Sequence, residues 1–173
     1  MTKKFTLASI MTALTLVCLF GCAYIPTGRI ALLALTSMCM LVTVSECGVR
    51  YAWIQYAATS LLALLLIPAK GQVMLFIGLI GYYPILKLHI ESIGKMWLEW
   101  FVKIMYFNAL LIVAFFLLKY VILNYINLST IMDFVFANLA IVVVVSEIVF
   151  VIYDYLLSFF AKYYRLVISK RIR

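Results

Sequence analysis

The sequence predicts an all-α integral membrane protein: a compact bundle of about six transmembrane helices with both termini in the cytoplasm. Hydrophobic residues make up 68% of the 173 residues and charged residues only 12%, and the mean hydropathy is +1.20. Soluble domains are about 45–50% apolar and about 25% charged. A spanning helix needs about 20 apolar residues, so six spans fill residues 1–173 as a single transmembrane domain. This composition excludes a soluble globular protein, a disordered chain and a free nucleic-acid-binding domain.

Breaks in the apolar pattern define the predicted spans. Pro26 and Gly28 form the first break, and Pro68 and Gly71 form the third, because Pro and Gly together interrupt helices. Polar or charged residues mark the other turns. The predicted spans are residues 6–24, 30–44, 51–67, 73–84, 96–122 and 134–160, followed by a basic cytoplasmic tail, 161–173.

Two of these spans have alternatives. The first follows Lys3 and Lys4, as a signal peptide does, but it has spanning length and lacks a small-x-small cleavage site. It is therefore predicted to be a retained transmembrane helix. The fourth span is short and ends at Pro84, so a re-entrant segment and five spans are the alternative there.

Basic residues predict the orientation. The formal net charge is +8. With the amino terminus inside, the inner side receives Lys3, Lys4, Arg50, Lys87, Lys95 and the five basic residues of the tail. The outer side receives Arg29 and Lys70, with Lys119 close to it. Cytoplasmic loops are rich in Lys and Arg, so this distribution predicts a plasma-membrane protein with cytoplasmic termini.

No catalytic set emerges from the sequence, so an enzyme is not predicted. Phosphate-binding glycine loops, H-E-x-x-H and G-x-S-x-G are absent from the sequence. Four cysteines and the sole histidine, His89, do not form a metal-binding pattern, and no cofactor is expected. A Cys47–His89 membrane peptidase is the remaining enzymatic alternative, since both residues are predicted at the inner face.

Charged residues within the spans are costly in hydrocarbon and are therefore candidates for function. Glu99 and Lys103 lie four residues apart and can pair on one helix face. Glu147 follows a run of apolar residues in the middle of span six, and Asp154 lies two turns beyond it. Glu147 is a candidate ligand-binding residue; a hydrogen-bonded packing acid is the alternative.

Polar residues at the predicted outer side offer a candidate site for a small polar solute. Aromatic and amide groups supply a stacking surface and directional hydrogen bonds. Ordinary polar loops are the alternative. With Glu147, the candidate ligand-binding residues are Arg29, Lys119, Tyr120, Asn124, Tyr125, Asn127 and Asn138.

Small residues recur every four positions along the first span, where Ala8 precedes Thr12 and Ser9 precedes Ala13. Such spacing lets a second membrane helix approach closely. Ala8, Ser9, Thr12 and Ala13 are therefore candidate partner-binding residues.

The chain resembles the substrate-binding S components of energy-coupling factor (ECF) vitamin transporters. The resemblance is carried by the basic start and small-residue helix of residues 1–14, by the break at residues 25–29, and by the length and six predicted spans. It implies that Ala8, Ser9, Thr12 and Ala13 dock on a membrane coupling subunit, that partner ATPase subunits supply the energy, and that the solute binds at the outer side.

The leading functional prediction is a small-molecule-binding membrane subunit of an ECF-type importer, which takes up a vitamin-like or other small polar solute. The alternative is a non-catalytic scaffold that binds another membrane protein through its transmembrane helices. Both predictions place the chain in a lipid bilayer and give it no nucleic-acid partner.

Overall fold

Every regular element in the described part of the computed structural model is helical. The model describes residues 2–25, 28–91, 94–125, 139–164 and 166, without the side chains of residues 2, 96, 117–125, 139 and 140. The α-helices are α1 (Thr2–Tyr24), α2 (Arg29–Cys47), α3 (Val49–Leu66), α4 (Lys70–Leu75), α5 (Tyr83–Glu91), α6 (Met96–Tyr125) and α7 (Leu139–Tyr163). A five-residue π-helix, Phe76–Ile80, follows α4.

Among the described residues, six helical stretches are long and apolar enough to cross a membrane, which agrees with the predicted number. They are Lys3–Tyr24, Arg29–Cys47, Val49–Leu66, Lys70–Glu91, Trp97–Phe116 and Ile141–Tyr163. The predicted all-helical class is confirmed. The cytoplasmic position of the termini stays a prediction.

The fourth stretch is longer than the predicted 73–84, because α4, the π-helix and α5 follow one another from Lys70 to Glu91. Pro84 does not end it. Proline at the second position of α5 lies in the first turn, where its missing N–H has no intrahelical partner to lose. The stretch has 22 residues, which is enough to span a membrane. The short length that favoured a re-entrant segment therefore no longer applies.

By its contacts the chain divides into two compact units. The first comprises Met1–Ser92 together with Leu156–Arg173, and the second comprises Ile93–Tyr155. Each is described by itself, and the single transmembrane domain stays a prediction.

Helix α2 is the centre of the first unit. It contacts α1, α3, α5 and the π-helix. Buried residues occur around much of its circumference, as is typical of a helix with neighbours on several sides. Two apolar clusters surround it. One is formed by Leu19, Cys22, Leu33, Ala63, Ile67, Val73 and Phe76, and the other by Met40, Val44, Ala52 and Ile85.

Several hydroxyl side chains buried among these helices donate hydrogen bonds to carbonyl groups of their own helix. Thr15 donates to the carbonyl of Met11 at 2.6 Å, and Thr36 donates to the carbonyl of Leu33 at 2.6 Å. Such bonds to the preceding turn satisfy the hydroxyl within its own helix. Gln55 of α3 also donates its amide to the Thr15 hydroxyl at 3.3 Å, which links α3 to α1.

A single glycine joins α2 to α3. Gly48 has φ +95° and ψ 170°, a backbone conformation open almost only to glycine. Its N–H donates to the carbonyl of Val44 at 3.1 Å, which satisfies the end of α2. The chain therefore reverses direction here within one residue.

The π-helix is held by an aromatic side chain of α3. The Tyr56 hydroxyl donates to the carbonyl of Ile77 at 2.7 Å, and the N–H of Gly81 donates to the carbonyl of Phe76 at 2.7 Å. The ring of Tyr56 also lies edge-on to Tyr82, with 6.0 Å between centroids. These contacts fix the wider turn of the π-helix against α3.

Candidate functional site

A buried ion pair joins α6 to α7 within the second unit. Nζ of Lys103 lies 3.0 Å from Oδ2 of Asp154, and the two side chains are only 5% and 4% exposed. Nζ also lies 5.7 Å from the ring centroid of Trp100, a cation–π contact that adds to the stabilisation of the ammonium group. Lys103 and Asp154 therefore neutralise each other in a site that excludes water.

Two further contacts join α6 to α7: a stack of two aromatic rings, and a hydrogen bond between an amide and a carboxyl group. Phe107 stacks on Phe150, with 4.2 Å between centroids and 14° between the ring planes. Nδ2 of Asn108 donates to Oε1 of Glu147 at 3.1 Å and to the carbonyl of Ile104 at 3.1 Å. Because contacts that advance along α6 move back along α7, the two helices are antiparallel here.

These four polar residues, Lys103, Asn108, Glu147 and Asp154, form what we call the α6–α7 polar site. Its two pairs differ in charge. Lys103–Asp154 joins a cation to an anion, whereas Asn108–Glu147 joins an acid to a neutral amide. Along the two helices, the stacked rings of Phe107 and Phe150 lie between these two polar pairs.

Sequence reasoning identified the three charged members of this site, Lys103, Glu147 and Asp154, but not their pairs. The four-residue spacing offered Glu99 as a partner for Lys103, whereas the structure pairs Lys103 with Asp154, 51 residues away. Glu147 accepts a hydrogen bond from the Asn108 amide, and both its role in ligand binding and the alternative of a packing acid stay predictions. The seven-residue separation of Glu147 and Asp154 signals a shared face of α7, but the register against α6 follows only from the fold.

The first unit contains a second buried cation. Lys87 is 1% exposed, and its Nζ donates to the hydroxyl of Ser158 at 2.7 Å and lies 3.3 Å from Oε1 of Glu91. Lys87 and Glu91 lie four residues apart on α5, the spacing at which opposite charges on a helix can pair. The burial of Lys87 was not expected from the sequence, which assigned this residue to the basic inner side.

The structure describes few of the predicted solute-binding residues at the outer side. Arg29 is the exposed first residue of α2. For Lys119, Tyr120, Asn124 and Tyr125 only the helical backbone of α6 is described, and Asn127 and Asn138 lie outside the described residues. Glu147 alone of the set is placed with its contacts, so the grouping of these residues stays a prediction.

The candidate partner-binding residues divide between two faces of α1. Ala8 is buried within the first unit and Thr12 is half-buried, with its hydroxyl donating to the carbonyl of Ala8 at 2.8 Å. Ser9 and Ala13 are exposed, and the Ser9 hydroxyl donates to the carbonyl of Phe5 at 3.0 Å. The exposed stripe is therefore narrower than the predicted four residues.

The cysteine and histidine of the peptidase alternative have different surroundings. Cys47 is buried, and its thiol donates to the carbonyl of Lys4 at 3.2 Å. His89 is exposed. A buried thiol that donates to a backbone carbonyl has the surroundings typical of a structural cysteine.

Tyr164 follows the sixth candidate span and is 4% exposed. Burial, followed by the negative charge of Glu46, the hydrogen bond to that carboxylate and the charge of Cys47, raises the pKa of Tyr164 from 10.0 to about 12. The charge of Glu46 and the hydrogen bond to its carboxylate both favour the neutral phenol of Tyr164, which can donate to a carboxylate. Tyr164 therefore stabilises the folded state fully at a pH below its pKa in the unfolded chain. This stabilisation is lost as the pH rises through the pKa of Tyr164 in the folded protein.

We expect Tyr164 to ionise late as the pH is raised. In a rapid jump to alkaline pH, the phenolate absorbance should contain a component with a midpoint near pH 12 that is smaller by one tyrosine in Tyr164→Phe. The exposed Tyr163 provides the matched control, Tyr163→Phe, which should retain this component. Ionisation of Tyr164 together with the bulk of the tyrosines would contradict the expected burial against Glu46.

Comparison with known proteins does not assign the chain to a group. Nothing matched it among the models of protein families, the curated proteins or the solved structures. The function must therefore be argued from the residues themselves.

Proposed function

We propose that this chain is the solute-binding membrane subunit of an importer of the ECF type, which docks on a membrane coupling subunit through α1. The exposed small-residue face of α1 is the observation that supports this proposal most strongly. The solute is a vitamin-like or other small polar molecule, and partner ATPase subunits supply the energy. The cytoplasmic termini and the plasma-membrane location belong to the same proposal.

The exposed face of α1 suits close contact with another membrane helix. Ser9 and Ala13 are exposed one turn apart, and the Ser9 hydroxyl is already satisfied by its own helix. Small side chains let two helix backbones approach closely, which strengthens van der Waals packing in a bilayer. Beside this stripe, Lys3, Thr6, Leu7, Ile10 and Met11 line an open groove of about 380 Å³.

A bulky side chain on this face tests the docking. We expect Ser9→Leu and Ala13→Leu to fold and insert normally, since both positions are exposed, but to lose the coupling and ATPase subunits on gentle detergent extraction. Val17→Leu is the matched control, because Val17 is 67% exposed on the same helix and already bulky. Undiminished co-purification of both Leu variants at positions 9 and 13 would contradict docking through this face.

Native mass spectrometry of the gently extracted wild-type protein separates the proposal from a scaffold. A bound small solute together with two ATPase subunits is the result expected for the importer. The groove and the stripe on α1 serve a scaffold equally well, and this favours the scaffold as the second candidate. Recovery of another membrane polypeptide, without solute or ATPases, would establish the scaffold instead.

A further inference from the structure

We propose that Glu147 is a proton-binding site within the membrane, and that its carboxyl group takes up and releases a proton while Asp154 on the same helix stays ionised. This proposal is independent of the importer and the scaffold. It rests on the different partners of two acids that lie seven residues apart on α7.

The contacts of Glu147 leave its charge unbalanced. Among the described residues, the Asn108 amide is the only hydrogen-bond partner recorded for its side chain, at 3.1 Å to Oε1. An amide donor satisfies one oxygen but supplies no positive charge. An isolated carboxylate in an apolar medium is so costly that the group takes up a proton instead.

Lys103, the cation described nearest to Asn108 along α6, already has an anionic partner. The charged residues described between residues 96 and 116 and between 139 and 155 are Glu99, Lys103, Glu147 and Asp154. Lys103 is paired with Asp154 at 3.0 Å, and Glu99 lies about two and a half turns before Asn108 on α6. The other titratable groups there are tyrosines, Tyr106, Tyr153 and Tyr155, whose phenol groups cannot supply a positive charge.

The geometry assigns the two oxygens of Glu147 different tasks. Oε1 accepts the hydrogen bond from Nδ2 of Asn108 and so acts as the carbonyl oxygen of the neutral acid. Oε2 is then the atom that binds the proton. The side chain is half-buried, so this oxygen is not sealed within the α6–α7 polar site. Loss of the proton leaves Glu147 with a negative charge that Lys103 does not balance, because Lys103 is paired with Asp154.

Dicyclohexylcarbodiimide provides a direct test, because this apolar reagent modifies carboxyl groups that carry a proton in apolar surroundings. The carboxyl proton moves to a carbodiimide nitrogen, and the carboxylate oxygen adds to the central carbon. With the full chain in phosphatidylcholine vesicles, we expect modification at Glu147 that declines as the pH is raised. Asp154 is the internal control and should stay unmodified; Glu147→Gln should remove the label.

Infrared spectroscopy tests the same proton without a reagent. The wild-type protein near neutral pH should show a carboxylic-acid C=O band that Glu147→Gln lacks. Asn108→Leu should move that band to higher frequency, because the carbonyl loses its hydrogen bond. Absence of both the label and the band, or equal labelling of Glu147 and Asp154, would overturn the proposal.

Discussion

Replacing Lys103 by Met is expected to destabilise the protein by about 3–5 kcal/mol, because it leaves a buried carboxylate without its cation. Asp154 is 4% exposed on its side chain and 3.0 Å from the lost ammonium group. Unfolding in a graded detergent mixture, followed by circular dichroism, measures the change. The loss should shrink at low pH, where Asp154 takes up a proton and no longer needs a partner.

The double variant Lys103→Met, Asp154→Leu separates a charge effect from a packing effect. Removing both charges of a buried pair is often neutral or stabilising, since the cost of dehydrating them disappears. We expect the double variant to recover most of the stability lost in Lys103→Met. A double variant that is as unstable as the single one would show that the shape of the Lys103 side chain, rather than its charge, matters.

Gly81→Ala is expected to destabilise the first unit by about 1–3 kcal/mol through overpacking. A Cβ at this position would lie 2.9 Å from Cζ and from the carbonyl oxygen of Phe76, and 2.9 Å from Cδ2 of Tyr56. Backbone atoms of the π-helix cannot move aside as freely as the end of a side chain. The added methyl group should therefore disturb the hydrogen bond between Tyr56 and Ile77.

Gly78→Ala is the matched control three residues earlier. A Cβ at Gly78 has no neighbour within 4 Å among the described atoms. There the substitution reduces only the freedom of the unfolded chain, with an expected gain of about 0.4–1 kcal/mol. Thermal unfolding in detergent compares the two variants. Equal stability of Gly78→Ala and Gly81→Ala would contradict the close packing at Gly81.

The helical class and the number of candidate spans could be predicted because they depend on local apolar length. Pro26 with Gly28 interrupts the apolar pattern between the first two spans, and Pro68 with Gly71 interrupts it between the third and the fourth. The extent of the fourth span could not be predicted, because Pro84 signals a break unless it is known to occupy the first turn of α5. The π-helix before it depends on Tyr56, a residue of another helix.

The charged residues of the α6–α7 polar site could be predicted from the sequence, but the contacts between them could not. Glu147, Asp154 and Lys103 are conspicuous because charges are rare in the spans. Their partners depend on the register between α6 and α7, which packing determines and local spacing does not. Lys87 illustrates the same limit, since local spacing does not predict its hydrogen bond to Ser158, 71 residues away.

The one-residue link at Gly48 also has a consequence for how the chain assembles. Closing a longer flexible loop costs more chain entropy, so neighbouring helices joined by one residue meet early. The short link keeps Met40 and Val44 of α2 close to Ala52 of α3, with which they form one apolar cluster. We expect residues 29–66 to form a helical hairpin that enters the bilayer as one body during synthesis, and α1 and the π-helix to pack against it.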